Sequence, residues 1–597
     1  MFFTKFKPMS DEEITKKISA QPRPILGGCE LLAGKEMKLH LDGAYAPKQL
    51  EYKFLDSDNL VALQNGISYE AEYSAVCLDE RIVLLSHIIP GTNRGWHHII
   101  DLKNKNAAVF ETWFGIEVPV GIDITGTKAP THTRKIPREI QRHYYFGWVE
   151  TDENKLRPEK LHTTTNRLEG RGLRWEYDNG RDILTFFPSV VCSTLVELSD
   201  PLGGITMTNP SDYIKIDDEY YIYARWEVEF SGMMWIELLN IAELTSSGLA
   251  FGFDDADNLV YGFHRARLTI TGDAAHLESI TNNGDKAPPM AAYSPMVDIT
   301  EKGFRYTYRP TDIDVPMPKE EALRHAAESR KIFDGQSIMS GANNLEVSDY
   351  LTGKQFTVRL DGEKHTAAPW AGEKQPVYEY DIISIDRLKW RINGGEWQDE
   401  VYTAFQPAKD LILFSHMCTG DPDYANLTHA VDFSKGLATT IRAQVGNWHS
   451  GWEIGAYAKF GVLEYGDIVP PFARRHHFTT DLVGKCYAWS YSDTMNSIHI
   501  YSSPQSYSWT IFQPDNSGGA TWSSPCFFIK LREDAYLFQW VEENCNGYQT
   551  IVIFNPRTMH DGGFSFVVNH TGLILSLTGA FARKLGEFDI MKYFVNN

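Results

Sequence analysis

Two apolar runs of the chain end in the same pair of side chains, a serine followed by a histidine, and a second histidine follows each run. The residues are Ser86, His87 and His98 in the first half and Ser415, His416 and His429 in the second. Because a histidine titrates near neutral pH, it can take a proton from a substrate and return it. The histidines predict general acid–base catalysis, and the serines predict substrate contacts.

Strand geometry argues against a Ser-His-Asp nucleophilic triad at these positions. Asp101 follows His98 by three residues, and side chains three apart on a regular strand point to opposite faces. The alternative to catalysis is that each pair of histidines ties neighbouring strands together at the rim of a barrel.

Two glutamates occupy matching positions in the two halves, and we predict that they act as acids or bases. Glu227 and Glu542 each stand five residues before a glycine. A carboxylate inside a small barrel is costly unless it is paired, and burial raises its pKa towards the range useful in catalysis. The alternative is a carboxylate at the rim, paired with arginine or lysine.

Alternating aromatic residues predict a binding surface for a flat molecule. Trp175 and Tyr177 share one strand face, as do Trp489 and Tyr491. Facing inward, they would line a pocket, and facing outward they would pack one barrel on another. Arg391 has no counterpart in the first half. Pointing inward it would bind a carboxylate or phenolate, and pointing outward it would be an exposed charge on an edge strand.

The chain lacks the common sequence patterns for metals and nucleotides. It contains no H-E-x-x-H, no Cys/His cluster with zinc spacing, no phosphate loop and no dinucleotide fingerprint. We therefore predict no cofactor and no required metal. A barrel that brings His87, His98 and a carboxylate together around a metal ion is the alternative.

These side chains must be positioned by strands. The chain has 597 residues, 13% of them aromatic, and short alternating runs are separated by turn dipeptides at the spacing expected of sheets. Residues 33–43 return in similar form at 352–362, and residues 168–177 return at 482–491. Such collinear matches predict a tandem duplication.

The predicted fold class is all-β, with four antiparallel barrels in two tandem halves and few short helices in the linkers. Each half has an N-type barrel followed by a C-type barrel. The predicted boundaries are 1–30 for an N-terminal extension, 31–140 and 141–282 for the first two barrels, 283–345 for a linker, and 346–455 and 456–597 for the last two barrels. Helices are predicted near 11–19 and at 318–333, and Pro288-Pro289 opens the linker pattern.

The chain resembles the molybdenum cofactor biosynthesis protein F (MoaF) family, whose members pair two lipocalin-like domains. The resemblance rests on Phe-Gly-x-x-Glu at 146–150 and 460–464, and on His162 and His476-His477, each followed by a Leu-x-Gly segment and a Trp/Tyr strand. It implies lipocalin-like (calycin) barrels, with the family's pair of domains present twice in one chain.

The last quarter of the chain is also similar to the phenolic acid decarboxylases, which are single barrels of the calycin type. Residues 528–542 follow their pattern of a Trp-x-Glu strand. The resemblance places Glu542 at the catalytic glutamate and Tyr491 at one of two tyrosines that hold the substrate carboxylate. Trp489 replaces the second tyrosine, and Thr521 stands where the catalytic arginine would be.

Composition excludes several classes of partner. The net charge of −21 argues against nucleic acid and anionic membranes, and no apolar run approaches the roughly 20 residues of a membrane span. The first residues lack a hydrophobic leader and the seven cysteines contain no C-x-x-C, so we expect a reduced, cytoplasmic chain. The sequence makes no prediction of oligomeric state.

The predicted function is a cofactor-independent lyase or isomerase. It would perform decarboxylase-, cyclase- or hydratase-like acid–base chemistry on a small aromatic or polyketide-like molecule inside a barrel. One alternative is a carrier of a small hydrophobic or aromatic ligand, because a lipocalin-like fold does not by itself imply catalysis. The other is a metal-dependent barrel enzyme.

Overall fold

The computed structural model divides the chain into two compact units. One unit holds residues 3–312 and 516–521, and the other holds residues 1–2, 313–515 and 522–597. The structure describes residues 9–25, 30–78, 80–120, 132–151, 155–189, 192–199, 205–227, 232–254, 256–275, 297–300, 303–306, 319–334, 341–361, 375–446, 454–493, 495–512, 518–542, 547–569 and 572–594.

The first barrel consists of eight antiparallel strands that close in sequence order. They are β1 (Glu36–Asp42), β2 (Leu50–Phe54), β3 (Asn59–Gln64), β4 (Ile67–Leu78), β5 (Ile82–Ile88), β6 (Arg94–Asp101), β7 (Asn106–Val120) and β8 (His132–Glu150). β8 pairs with both β7 and β1 and so closes the barrel. The barrel therefore extends past residue 140, to the end of β8.

The second barrel lies in the same unit and is also closed by eight antiparallel strands. Its elements are β9 (Thr163–Thr164), β10 (Arg171–Tyr177), β11 (Asp182–Phe186), β12 (Cys192–Glu197), β13 (Ile205–Lys215), β14 (Tyr220–Glu227), β15 (Met233–Asn240), β16 (Thr245–Phe253) and β17 (Leu259–Ala274). β10 pairs with β11 on one side and with β17 on the other, and the short β9 adds to β13.

Strands β14 and β15 are buried along their whole length because both of their faces are covered. Tyr223 and Trp235 belong to the interior core of the second barrel. Ile222 and Trp226 lie on the other face of β14 and pack instead in a cluster with Leu84 and other residues of the first barrel. This two-sided burial removes the polar alternation by which a half-exposed strand is recognised.

Two helices occur in the described residues, both near the predicted positions. α1 (Asp11–Ala20) starts with a capping box between Ser10 and Glu13. α2 (Lys319–Glu328) ends earlier than predicted, and β20 (Arg330–Ile332) follows it. β18 (Val297–Thr300) pairs with β19 (Gly303–Tyr306), whereas Pro318 and Pro288-Pro289 lie outside the described residues.

The third barrel, in the other unit, repeats the strand order of the first and is closed. Its strands are β21 (Gln355–Leu360), β22 (Val377–Ile382), β23 (Arg387–Ile392), β24 (Gln398–Ala408), β25 (Leu411–Met417), β26 (Asn426–Asp432), β27 (Leu437–Val445) and β28 (Ile454–Glu464). β28 pairs with β27 and β21, so this barrel includes residues on both sides of position 455.

The last part of the chain forms a sheet that we call the C-terminal sheet. Its strands are β29 (His477–Phe478), β30 (Lys485–Ser490), β31 (Asn496–Ile500), β32 (Ser506–Phe512), β33 (Gly518–Arg532), β34 (Ala535–Glu542), β35 (Tyr548–Asn555), β36 (His560–Asn569), β37 (Gly572–Thr578) and β38 (Phe581–Phe588). β38 pairs with β30 and, at one residue pair, with β36. β20 joins β37 in parallel.

The predicted all-β class is confirmed, with three closed eight-stranded antiparallel barrels and two helices. Among the described residues, no helix is long and apolar enough to cross a membrane.

The cysteines differ from the expectation of a fully reduced chain. Cys192, Cys418, Cys486 and Cys526 are buried free thiols, but Cys77 is disulfide-bonded. Disulfides persist mainly in oxidising compartments, so the disulfide at Cys77 does not support the predicted cytoplasmic location, which stays a prediction.

Candidate functional site

The predicted histidines of the first barrel do come together, around a tyrosine that the sequence did not single out. The Tyr52 hydroxyl lies 3.0 Å from Nε2 of His98 and 3.1 Å from Nε2 of His87. Strands β2, β5 and β6 carry these side chains, and all three are buried. Tyr52 could have been found from the sequence, because Tyr380 matches it in the second half.

The third barrel contains the same arrangement with its hydrogen bonds complete. The Tyr380 hydroxyl lies 3.1 Å from Nε2 of His416 and 2.6 Å from Nε2 of His429. Nδ1 of His416 donates to the Met417 carbonyl, so its Nε2 accepts the tyrosine proton. His429 then donates from Nε2, and its Nδ1 accepts from Thr440 at 2.8 Å. The chain of donors and acceptors is closed.

Burial keeps these four histidines uncharged. It lowers the pKa of His87 and of His416 to about 4, and it holds the pKa of His98 and His429 well below the ordinary range. Each of the four is tied to a tyrosine hydroxyl through Nε2, and in the third barrel both nitrogens of each ring are hydrogen-bonded, whereas Nδ1 of His87 and of His98 has no hydrogen-bond partner among the described residues. Neutral, buried histidines that are held by a tyrosine in this way are poorly placed to exchange protons with a ligand. The geometry therefore favours the alternative in which the histidines tie strands together.

The two serines lie on the opposite strand face from His87 and His416. Ser86 contacts Nδ1 of His97 at 2.6 Å and the Tyr261 hydroxyl at 2.7 Å, between the first and second barrels. Ser415 is 2.9 Å from the Thr428 hydroxyl. Adjacent residues of a strand diverge, so neither serine shares a site with the histidine that follows it.

The aspartates near the histidines bind arginines instead. The buried carboxylate of Asp101 is 2.7 Å from Arg81, and that of Asp432 is 2.6 Å from Arg532. These ion pairs exclude the Ser-His-Asp arrangement, in agreement with the strand parity.

In the second barrel the acidic residue at the centre is Glu237, which the sequence did not predict. Its Oε1 accepts from the Tyr177 hydroxyl at 2.8 Å and from Nε2 of His264 at 2.9 Å, and its Oε2 accepts from Ser246 at 2.8 Å. Glu237 is fully buried. Burial by itself would raise its pKa, but His264, Arg225 and Ser246 together lower it to about 2, so the carboxylate is ionised.

The aromatic residues predicted for this barrel face its interior. Trp175 and Tyr177 stack in parallel with ring centroids 6.2 Å apart and belong to the interior core. Trp235 stands next to them, with its ring centroid 5.9 Å from that of Tyr177. Together they form flat apolar walls beside the Glu237–His264 pair.

Glu227, the predicted acid of this barrel, is held by arginines. Its Oε1 lies 3.2 Å from Arg181 and 3.5 Å from Arg225. Arg181 also binds Glu197 at 2.8 Å, and both of those side chains are partly exposed. Glu227 therefore belongs to an ion-pair cluster that reaches the surface. This arrangement matches the alternative prediction of a carboxylate at the rim paired with arginine or lysine.

Glu542 in the C-terminal sheet accepts hydrogen bonds on both oxygens. Trp540 at 2.6 Å and Tyr507 at 3.1 Å donate to Oε1, whereas Ser524 at 2.7 Å and Trp509 at 2.9 Å donate to Oε2. Burial raises the pKa of this carboxyl, and the four donors oppose the change. They also occupy the lone pairs that a general base would need.

The other predicted aromatic residues of this sheet are buried near a second carboxyl group. Tyr491 is hydrogen-bonded to Ser497, which lies 3.0 Å from Nε2 of His499. The Trp489 ring lies 5.8 Å from the ring of His499. Burial raises the pKa of Asp561 to about 8, so this group is largely protonated at pH 7.

Arg391 is oriented differently from the predicted substrate-binding side chain. It forms a two-point ion pair with Glu379 at 2.7 and 2.8 Å and lies over the Trp397 ring. Its strand neighbour Trp390 is in the barrel core, so Arg391 points outward. The prediction of an inward guanidinium is wrong because strand parity assigns it to the outer face.

A cleft of about 690 Å³ beside the first barrel contains none of the predicted site residues; its lining includes Tyr45, Arg94 and Glu111. Within the described part of the chain, no group of three or more His, Cys, Asp or Glu side chains is placed to hold a metal ion. Independence from cofactors stays a prediction.

Comparison with known proteins bears on the C-terminal sheet. Residues 476–587 match the family model of the MoaF C-terminal domain, and they include strands β29–β37 and most of β38. No curated protein matches the chain. The predicted resemblance to the MoaF family is therefore confirmed, and it is carried by residues 476–587.

Proposed function

We propose that this protein is a cofactor-independent acid–base enzyme, a lyase or isomerase, that acts on a small flat molecule inside the second barrel. The observation that carries the proposal is the buried contact of 2.9 Å between Glu237 and His264. A carboxylate bonded to one nitrogen of an imidazole fixes the tautomer and stabilises the protonated ring.

The orientation of His264 assigns its role. In the neutral ring Nε2 donates to Glu237 and the lone pair is on Nδ1, and a proton that Nδ1 then accepts is stabilised by the carboxylate. Among the residues that the structure describes, Nδ1 of His264 has no hydrogen-bond partner, although it is buried. An oriented imidazole nitrogen of this kind is a general base, and the aromatic walls of Trp175, Tyr177 and Trp235 suit an aromatic or polyketide-like substrate.

The experiment compares the wild-type chain with His264→Gln on two probes. One probe is 4-hydroxycinnamic acid, whose decarboxylation releases CO₂, and the other is 2-tetralone, whose enolisation exchanges hydrogen for deuterium in D₂O. We expect turnover of at least one probe, reduced in the variant by about 100-fold or more, as is typical for loss of a general base. Arg267→Lys, on the exposed face of β17, is the control. Equal rates in wild type and His264→Gln would overturn the proposal.

A second candidate, ligand binding without turnover, is favoured by the C-terminal sheet. Glu542 is saturated by four donors, and Phe528, Phe538 and Trp540 form a stack of aromatic rings that Tyr501 meets edge-on. We propose that β30–β38 form a fourth barrel and that all four barrels are of the lipocalin type in a tandem duplicate. Equilibrium dialysis with 2-naphthol tests this candidate: we expect the wild-type chain to bind 2-naphthol without converting it, and absence of binding would overturn the candidate.

A further inference from the structure

The most unusual side chain of the second barrel is Arg225. Its side chain is fully buried, yet Nε, Nη1 and Nη2 have no hydrogen-bond partner in the part of the chain that the structure describes. Trp235 lies against it, with the guanidinium carbon 4.8 Å from the ring centroid. Two carboxylates lie within ion-pair distance of this guanidinium, but buried N–H donors without hydrogen bonds are costly, so an arginine in this state points to an acceptor that it is built to bind.

Other unpaired polar atoms in this barrel are mostly hydrogen donors. The indole nitrogens of Trp175 and Trp235 are buried without hydrogen-bond partners among the described residues, and so are the amide nitrogen and the amide oxygen of Asn209. Both tryptophans belong to the interior core, and Asn209 is paired in register with Ser193, which contacts the core residue Tyr223. A surplus of donors favours a ligand whose polar atoms are oxygen acceptors.

Charge decides which kind of oxygen acceptor fits. Carboxylate oxygens of Glu227 and Glu237 lie 3.5 and 3.6 Å from Arg225. Burial by itself would lower the pKa of Arg225, but Tyr177, Tyr223 and the two glutamates raise it, so the guanidinium stays charged.

A carboxylate ligand would add a third negative charge beside one guanidinium in a medium of low dielectric. A neutral carbonyl oxygen accepts the same hydrogen bonds without that repulsion. The geometry therefore disfavours a carboxylate as the group that binds at Arg225.

We propose that the substrate of this site is an uncharged flat molecule with an enolisable carbonyl group, recognised by Arg225. This inference rests on the proposed function, in which His264 is the base. Nδ1 of His264 takes a proton from the carbon next to the carbonyl, and the electron pair of that C–H bond forms a C=C bond while the C=O pair moves onto oxygen. The enolate oxygen is held by Arg225. In a substrate with a C=C bond beside the carbon that loses its proton, the oxygen pair re-forms C=O, the C=C pair shifts by one position into conjugation with it, and the proton returns to the far carbon of the original C=C bond. The net reaction is the shift of a double bond, an isomerisation that consumes no oxidant or reductant.

This assignment makes Arg225 a catalytic residue with a differential effect. The carbonyl oxygen is neutral in the bound substrate and acquires negative charge only as the proton leaves. The guanidinium thus stabilises the transition state more than the ground state, which is the condition for accelerating the reaction. Arg225 stands two positions before Glu227. At the matching place in the C-terminal sheet, two positions before Glu542, the residue is Trp540 rather than arginine. The proposed chemistry therefore belongs to the second barrel.

The test separates binding of a carbonyl group from turnover. Binding is followed by quenching of tryptophan fluorescence with 2-tetralone, which is an uncharged flat ketone, and with benzoate, which is a flat carboxylate. We expect 2-tetralone to bind at least about tenfold more tightly than benzoate. Arg225→Lys, which keeps the charge, should abolish this preference, whereas Arg267→Lys should retain it.

Turnover is measured as deuterium exchange into 2-tetralone by the full-length chain. We expect exchange with the wild type, and a loss of about 100- to 1,000-fold in Arg225→Lys, as for removal of an oxyanion donor. Tighter binding of benzoate, or decarboxylation of 4-hydroxycinnamic acid that depends on His264 without exchange of 2-tetralone, would overturn this inference and leave the proposed function intact. These wild-type measurements decide the question even if Arg225→Lys does not fold.

Discussion

Nε2 of His264 lies 2.9 Å from Oε1 of Glu237, although the two side chains stand on strands that are separated by β16. Gly248 on β16 is paired in register with both residues. A Cβ atom at position 248 would lie 2.4 Å from Nε2 of His264 and 2.5 Å from Oε2 of Glu237. The close contact of base and carboxylate therefore requires glycine between them.

Gly248→Ala should disrupt the proposed site. The added methyl group collides with both partners, so we expect a loss of about 1 to 3 kcal/mol in the free energy of unfolding and of most proton-exchange activity. Urea unfolding and deuterium exchange into 2-tetralone measure the two effects. Gly262→Ala is the matched control, because its Cβ would meet its nearest atom at 3.5 Å. Equal activity in the two variants would contradict the role given to the Glu237–His264 pair.

Acid should destabilise the first and third barrels. His87 and His416 have pKa values of about 4 in the folded protein, below their ordinary value of 6.5. Between these pH values the unfolded chain binds protons that the folded chain does not, so stability falls as the pH decreases. We expect each histidine to account for about 3 kcal/mol over this interval. Thermal unfolding at pH 7 and pH 5 should show a smaller shift in His416→Asn than in the wild type; identical shifts would refute the assignment.

Glu542→Gln should destabilise the C-terminal sheet. An amide nitrogen in place of one carboxylate oxygen leaves two of the four donors without an acceptor, which costs about 3 kcal/mol. Urea unfolding followed by tryptophan fluorescence measures the change. Glu587→Gln is the control, since Glu587 is half exposed and forms a surface ion pair with Lys584; we expect less than about 1 kcal/mol there. A similar effect in both variants would show that the donors around Glu542 contribute little.

Asp561 should make the C-terminal sheet less stable as the pH rises, which is the opposite of the dependence expected from His87 and His416. Its pKa rises from the ordinary 3.8 to about 8, so in this interval the folded chain holds a proton that the unfolded chain has released. Stability is fully retained below pH 4 and falls as the pH rises through 8. Asp561→Asn, which is neutral at every pH, should lose less thermal stability than the wild type between pH 6 and pH 9. The idea fails if the two proteins lose the same amount.

Strand periodicity and repetition determined the class of fold. Alternating runs with turn dipeptides predicted antiparallel sheets, and three closed barrels follow from them. The same periodicity correctly assigned Trp175 and Tyr177 to one face, and it argued against a triad that contains His98 and Asp101, which binds Arg81 instead. These properties depend on neighbours along one strand, where a side chain's direction follows from its position alone.

Pairing across strands was decided by tertiary structure. Arg225, Glu237 and His264 lie on β14, β15 and β17. Glu237 is an isolated polar residue in an apolar stretch, whereas Arg225 and His264 have charged residues close by in sequence. Their convergence depends on strand register and barrel closure, which no local pattern encodes. For the same reason the sequence selected Glu227, which binds arginines near the rim, and left the orientation of Arg391 open, which its strand turns outward. The sequence indicated which residue types could take part in acid–base chemistry, and only the closed barrel determined which of those residues come into contact.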